Sequence, residues 1–121
     1  MKIEILRKKL KIIFKKYKLS SAHSKICTEA IINAELVGAH SHGLSRVKMY
    51  CDRISKKIIN PKPKIKIKKI SQSVSHIDAN NSIGFVAADL GIKIAIKHAQ
   101  KTGIGMVAIK GSGHYGLSGY Y

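Results

Sequence analysis

The first half of the chain reads in a helical period. From Lys2 to about Lys18, Ile3, Leu6, Leu10, Ile13, Phe14 and Tyr17 recur at helical spacing with lysines on the opposite face, which predicts an amphipathic helix. Ser20 or Ser21 is a suitable N-cap for a second helix, whose stripe is Cys27, Ala30, Ile31 and Ala34 and which Gly38 closes after about Val37. After the short segment "AHSHG", Leu44, Val47, Cys51, Ile54 and Ile58 define a third helix. It should stop before Asn60-Pro61-Lys62-Pro63, because proline drives the residue ahead of it out of helical geometry.

The period changes at Lys64. "KIKIKKI" alternates charge with isoleucine, as a half-exposed strand does when lysines guard its edge, and Val74 to Asp78 follows the turn "SQS" as its hairpin partner. "ANNS" reads as a loop into a fourth helix from about Gly84 to Lys101, carrying Val86, Ala87, Leu90, Ile94 and Ala99, with Gly103 placed to cap its end. Gly105 to Lys110 then form a compact apolar strand. The expected class is α/β: a helical part over residues 1–60, then the beginning of an α/β domain over 61–121.

Composition narrows the function classes. At 121 residues, 45% of them apolar and only two proline, the chain can build one small core and is not a disordered segment. No apolar run approaches the roughly 20 residues of a membrane span, and "MKIEILRKKLKIIFKKYK" carries charge throughout. A basic amphipathic helix can lie on a membrane, but one followed at once by a second helix is placed to pack on a core. A cytoplasmic protein without a membrane partner is expected. Cys27 and Cys51 have no metal-ligand spacing and read as buried thiols.

The formal net charge of +17 points by itself to a polyanion partner. Its make-up points away from one: lysine supplies 20 of the 23 positive charges, arginine only three, and no aromatic residues interleave as a single-strand platform requires. Isoleucine is as abundant as lysine, so the excess reads as drift toward A/T-rich codons and nucleic acid is not an expected partner.

Three features carry candidate chemistry. Gly111-Ser112-Gly113-His114-Tyr115-Gly116 spells G-x-G-x-x-G after a strand, yet a dinucleotide turn also needs a second strand and an acidic residue about 20 positions on. His40-Ser41-His42-Gly43 lies between the second and third helices, with Arg46 one turn into the third. Ser112-x-His114-x-Gly116 follows the last strand. An arginine fork can grip a carboxylate while a nearby histidine handles a proton. Each histidine is equally readable as a polar surface residue, and His23, His76 and His98 are read that way or as packing residues. His40 and His42 lack a third ligand nearby, so no metal is expected.

"GAHSHGLSRVKMY", "HIDANNSIGFVAADLGIKIAIKHAQKTGIGMVAI" and "GSGHYGLSGYY" together resemble the N-terminal part of the malate/L-lactate dehydrogenase-like oxidoreductases. These are NAD(P)-dependent 2-hydroxy-acid dehydrogenases and 2-keto-acid reductases, among them ureidoglycolate dehydrogenase, diketogulonate reductase and the sulfolactate enzymes. The resemblance spans nearly the whole chain, and His40 with the "RIS" after Tyr50 leans toward the ureidoglycolate dehydrogenase branch. It implies that Ser41 and His42 match the active-site Ser-His pair, that Arg46 faces the substrate carboxylate, and that His114 is the second histidine, a proton acceptor or donor. One histidine would take the substrate hydroxyl proton as hydride leaves the same carbon, and the other would orient the oxygen.

The implied fold is a helical N-terminal segment followed by the start of a mixed, non-Rossmann sheet domain of the sulfolactate dehydrogenase-like type. On this reading the glycine spelling is coincidental and His114 is the residue that matters. NAD or NADP is the implied cofactor, with its contacts expected beyond Tyr121, and the full-length protein is expected to be a homodimer acting on a small 2-hydroxy or 2-keto acid. The chain is thus expected to be an N-terminal fragment without turnover of its own. Many members have Asp at position 40, Gly at 79 and Asn at 111 or 113, where this chain has His40, Ala79, Gly111 and Gly113. Two other readings stay open beside it: a non-catalytic remnant of such an enzyme, and a small basic polyanion binder.

Overall fold

The computed structural model describes residues 2–121. Helices α1 (Ile3–Lys16) and α2 (Ser21–Leu36) lead through two single-turn 3-10 helices, His40–His42 and Leu44–Arg46, into α3 (Val47–Ser55). Strands β1 (Lys66–Lys69) and β2 (Val74–Ser82), helix α4 (Gly84–Thr102) and strand β3 (Met106–Ser112) follow, and a 3-10 turn at Ser118–Tyr120 comes last.

The sheet has the order β1-β2-β3 and is mixed. β1 pairs antiparallel with β2, Ile67 facing Ile77, whereas β2 and β3 run parallel with Ile77 facing Ile109, because α4 carries the chain back across the sheet. Ile77 and Ala79 of β2 and Val107 of β3 pack on Ala87, Leu90 and Ile94 of α4. The main core lies on the helical side: Leu10 and Phe14 of α1, Cys27 and Ile31 of α2, Tyr50 and Ile54 of α3, and Phe85 and Val86 of α4. A forked ion pair, Arg7 Nε to Glu29 Oε1 at 2.8 Å and Arg7 Nη2 to Glu29 Oε2 at 2.9 Å, ties α1 to α2. Both cysteines are free and buried.

Capping explains the helix ends. The Ser20 hydroxyl accepts the His23 N–H at 3.1 Å and starts α2. Helices α1, α2 and α3 all finish in the same double-bonded turn, with a left-handed residue just past the cap: Lys18 (φ 68°), Gly38 (φ 78°) and Lys57 (φ 59°). In α3 the Ile58 N–H donates to Arg53 O and the Lys57 N–H to Ile54 O, at 2.9 and 3.0 Å.

That turn corrects one expectation. The third helix does not run to Ile58; it ends at Ser55, and the turn through Lys57 leaves Ile58 58% exposed while rotating Ile59 into the core at 4%. The sheet brings three more corrections. "ANNS" is not a loop: β2 continues through it to Ser82, with Asn80 and Asn81 in left-handed geometry at a register shift between Asp78 and Ser82, which is a bulge. The strand from "KIKIKKI" is not half-buried, since all four of its residues are exposed and Ile67 is 54% open; α4 packs on β2 and β3, leaving β1 uncovered. The last strand, expected over Gly105 to Lys110, runs from Met106 to Ser112 and is mostly exposed.

A lysine in left-handed geometry is strained where glycine is not. Replacing Lys18 or Lys57 by Gly should therefore raise stability by about 0.5–1 kcal/mol each, the relief of that strain less glycine's added unfolded-state entropy. Thermal unfolding of the two single variants and the double variant checks this, and a fall in midpoint would count against the assignment.

Candidate active site

The histidine turn between α2 and α3 is built around an acidic side chain. Glu35, in the last turn of α2, accepts the Leu44 N–H on Oε1 at 2.7 Å and pairs through Oε2 with His40 Nδ1 at 2.6 Å. The Leu44 N–H and the His40 partnership hold its carboxyl below the usual range. At the junction of the two 3-10 turns, a Cβ on Gly43 would overlap Glu35 Oε1 and displace the carboxylate. The second turn ties back onto the first: Ser45 Oγ donates to His40 O, and Arg46 Nε to Ser41 O, both at 2.7 Å. Ser41 Oγ lies 2.9 Å from His42 Nδ1.

The second histidine comes from the loop after β3. Gly84 lets this loop close on the start of α4, since a Cβ there would overlap the carbonyl oxygens of Gly113 and His114. Gly116, at φ 81°, has the Phe85 ring where a side chain would begin. His114 Nδ1 lies 2.8 Å from Tyr50 Oη and takes the Gly116 N–H at 3.2 Å.

A backbone N–H can only donate, so Nδ1 carries the lone pair and the neutral ring holds its proton on Nε2. Tyr50 then donates its hydroxyl hydrogen to the same nitrogen. This tyrosine is fully buried and meets Phe85 edge to face at 5.0 Å between centroids. Burial pushes its hydroxyl up to about 12, so it stays a donor at neutral pH. His114 is held below the ordinary histidine value, first by burial and then by the charges of Arg46, His42 and Arg53.

These contacts bring the two histidine segments together. The rings of His42 and His114 stack at 5.6 Å between centroids and 27° between planes. Ser41 sits against His42, and the charge of Arg46 reaches His114. Arg46 spends only Nε on the Ser41 carbonyl, which leaves its two terminal nitrogens without a hydrogen-bond partner among the described residues. Of the other histidines, His98 pairs with Ser75 Oγ at 2.8 Å, His40 with Glu35, and His76 is exposed on the sheet.

Two functional side chains escaped the sequence reading. Tyr50 lies on the α3 stripe between Val47 and Ile54, and a tyrosine there must find a partner for its buried hydroxyl. Glu35 sits at a helix C-terminus, where an acid opposes the dipole and needs compensation. Both signals were present and neither names its partner.

Among the described residues, the glycine loop leads into the three-residue 3-10 turn Ser118–Tyr120. The described residues bring His42, His114 and Arg46 together. They include no cluster of three or more His, Cys, Asp or Glu placed to hold a metal. No helix among them is long and apolar enough to cross a membrane.

Comparison with known proteins agrees with this architecture. The sequence model of the family described as malate/L-lactate dehydrogenase matches residues 1–121. The chain is 40% identical over 103 residues to the malate/(S)-sulfolactate dehydrogenase of Methanothermus fervidus, covering 85% of this chain and 30% of that protein. It is 36% identical over 103 residues to the NAD(+) ureidoglycolate dehydrogenase of Escherichia coli strain K12, covering 85% and 30%. The solved sulfolactate dehydrogenase of Methanocaldococcus jannaschii superposes with a TM-score of 0.96 at 35% identity, over 100% of this chain and 35% of that one. The chain therefore spans about a third of the length of the relatives it matches.

Two outcomes follow from the His114 environment. Its folded value lies below the ordinary histidine value, so acidification charges the unfolded chain first; stability should fall as pH drops from about 6.5 through the folded value and then level off. His114→Asn should flatten that slope in denaturant titrations at a series of pH values. Tyr50→Phe removes a hydrogen bond that favours the neutral ring, and should raise the His114 midpoint by about half a pH unit, read by NMR.

Proposed function

The chain belongs to the malate/L-lactate dehydrogenase family, and from that premise we propose that it supplies the substrate-side, proton-handling groups of an NAD(P)-dependent oxidoreductase acting on a 2-hydroxy acid or its 2-keto counterpart, of malate, lactate or ureidoglycolate type. The observation that carries the reading is the stacked His42–His114 pair beside Arg46. Two imidazoles face one another, and a guanidinium with unspent donors lies next to them.

Hydride acceptance is the chemistry of NAD or NADP; this chain's residues hold and move the proton. The Nδ1 of His114 is already taken, so its Nε2–H is the donor that holds the substrate oxygen. His42 is the general base. The role calls for the tautomer with the proton on Nδ1, donated to Ser41 Oγ 2.9 Å away, which leaves Nε2 with a lone pair to take the hydroxyl proton. In the reductive direction the same proton returns from His42 to the oxygen. Arg46, anchored through Nε, presents its terminal nitrogens to the carboxylate as a fork. The reading places the whole protein in the cytoplasm as a homodimer.

Oxamate, a 2-keto acid isostere, tests the site without needing turnover. Added to the 121-residue chain, it should shift the NMR signals of Ser41, His42, Arg46 and His114 together. Arg46→Met should weaken that binding about tenfold or more, the loss of a charged hydrogen-bonded contact. No oxidation of a 2-hydroxy acid with NAD(P) is expected from the chain alone. Shifts that leave these residues untouched, or binding indifferent to Arg46→Met, would sink the reading.

A further inference from the structure

The substrate-side groups sit on two very short turns, and such turns do not hold themselves. Each 3-10 helix is a single turn, His40–His42 and Leu44–Arg46, and Gly43 between them has no side chain to pack. The bonds that run directly between the turns, Ser45 Oγ to His40 O and Arg46 Nε to Ser41 O, are exposed. Both run from one short turn to the other, so neither anchors the pair to the rest of the fold. Something anchored in a longer element has to fix the turns.

We infer that Glu35 is the positioning residue of the histidine-arginine segment: from helix α2 its carboxylate grips the head of each short turn, His40 Nδ1 on one oxygen and the Leu44 N–H on the other, and so fixes where His42 and Arg46 stand against His114. The inference rests on the reading of His42, Arg46 and His114 given above and adds a residue that touches none of the reacting atoms.

Three observations support it. Both carboxylate oxygens are engaged, one per turn, so one side chain sets the separation and the relative rotation of the two turns. Gly43 is shaped to the carboxylate, since any side chain there would overlap it. Glu35 itself lies on the 16-residue helix α2, whose Ala30, Ile31, Ile32 and Ala34 are buried, so its backbone is held by the core and not by the loop. A charged acceptor makes both Glu35 bonds charge-assisted, whereas the Ser45 bond between the turns is neutral.

The test is the titration of His114 in the ligand-free chain, followed by NMR, with thermal unfolding alongside. His114 faces Tyr50 and Gly116 through its Nδ1, His42 across the ring stack, and the charges of Arg46 and Arg53. If Glu35→Ala releases the turns, His42 and Arg46 move off and His114 gains solvent. Its midpoint should then rise by about half a pH unit, with loss of the ring-current shift between the two imidazoles.

Glu35→Gln should restore the wild-type midpoint, because the amide oxygen still accepts the Leu44 N–H and the amide N–H can donate to His40 Nδ1. Gly43→Ala, which drives a methyl group into the same carboxylate, should reproduce the Glu35→Ala shift, and it carries the test should Glu35→Ala fail to fold. A folded Glu35→Ala or Gly43→Ala chain with an unmoved His114 midpoint overturns the inference, whatever happens to its melting temperature. Because nothing here depends on a substrate, that result would leave the oxamate experiment free to support or sink the functional reading separately.

Discussion

The hydrogen bond from Tyr50 to His114 is the constraint on which the site depends. It joins helix α3 to a loop 64 positions further on, from a tyrosine that is itself buried in the core. Phe85 holds the tyrosine ring edge to face, and the same ring fills the space beside Gly116 that a side chain would need. One aromatic pair therefore sets both the donor and the backbone turn that presents its acceptor. With Nδ1 claimed twice, His114 has a single tautomer when neutral, and the direction in which it can offer a proton follows.

Electrostatics then separates the two histidines. His114 lies against buried surface and near two arginines, which disfavour a further positive charge. His42 leans on a serine hydroxyl. Two chemically identical side chains thus stand in different surroundings, one against buried surface and arginine charge, the other against a hydroxyl.

Much of this fold was legible in the sequence wherever local chemistry decides local geometry. Ser20 starts α2, Gly38 ends it and Gly103, in left-handed geometry, ends α4, each where periodicity and capping place them. The reading failed where a tertiary or unusual backbone choice overrode the residue type. Lys18 and Lys57 adopt the conformation normally left to glycine, so the end of α3 was invisible. Asn80 and Asn81 bend a continuing strand and looked like its end. Alternation in "KIKIKKI" gave the strand but not its exposure, because burial depends on where α4 lies. For the site, the residue types at His42, Arg46 and His114 suggested chemistry, but their meeting depends on Tyr50 and Glu35, whose long-range partners no spacing encodes. The family resemblance, and not periodicity, singled these positions out.

The parallel pairing of β2 with β3 has a consequence for how the site comes into being. The turn that carries His42 closes on contacts only a few positions apart, from Glu35 to Leu44, and can form as soon as α2 does. His114 lies in the loop after β3, a strand that can dock only after the 19 residues of α4 have folded back across the sheet. Closing such a loop costs entropy that its contacts repay only at the end, so parallel crossovers form late. The two histidines are thus separated in time as well as in sequence: one stands ready early in folding, and the other reaches it last.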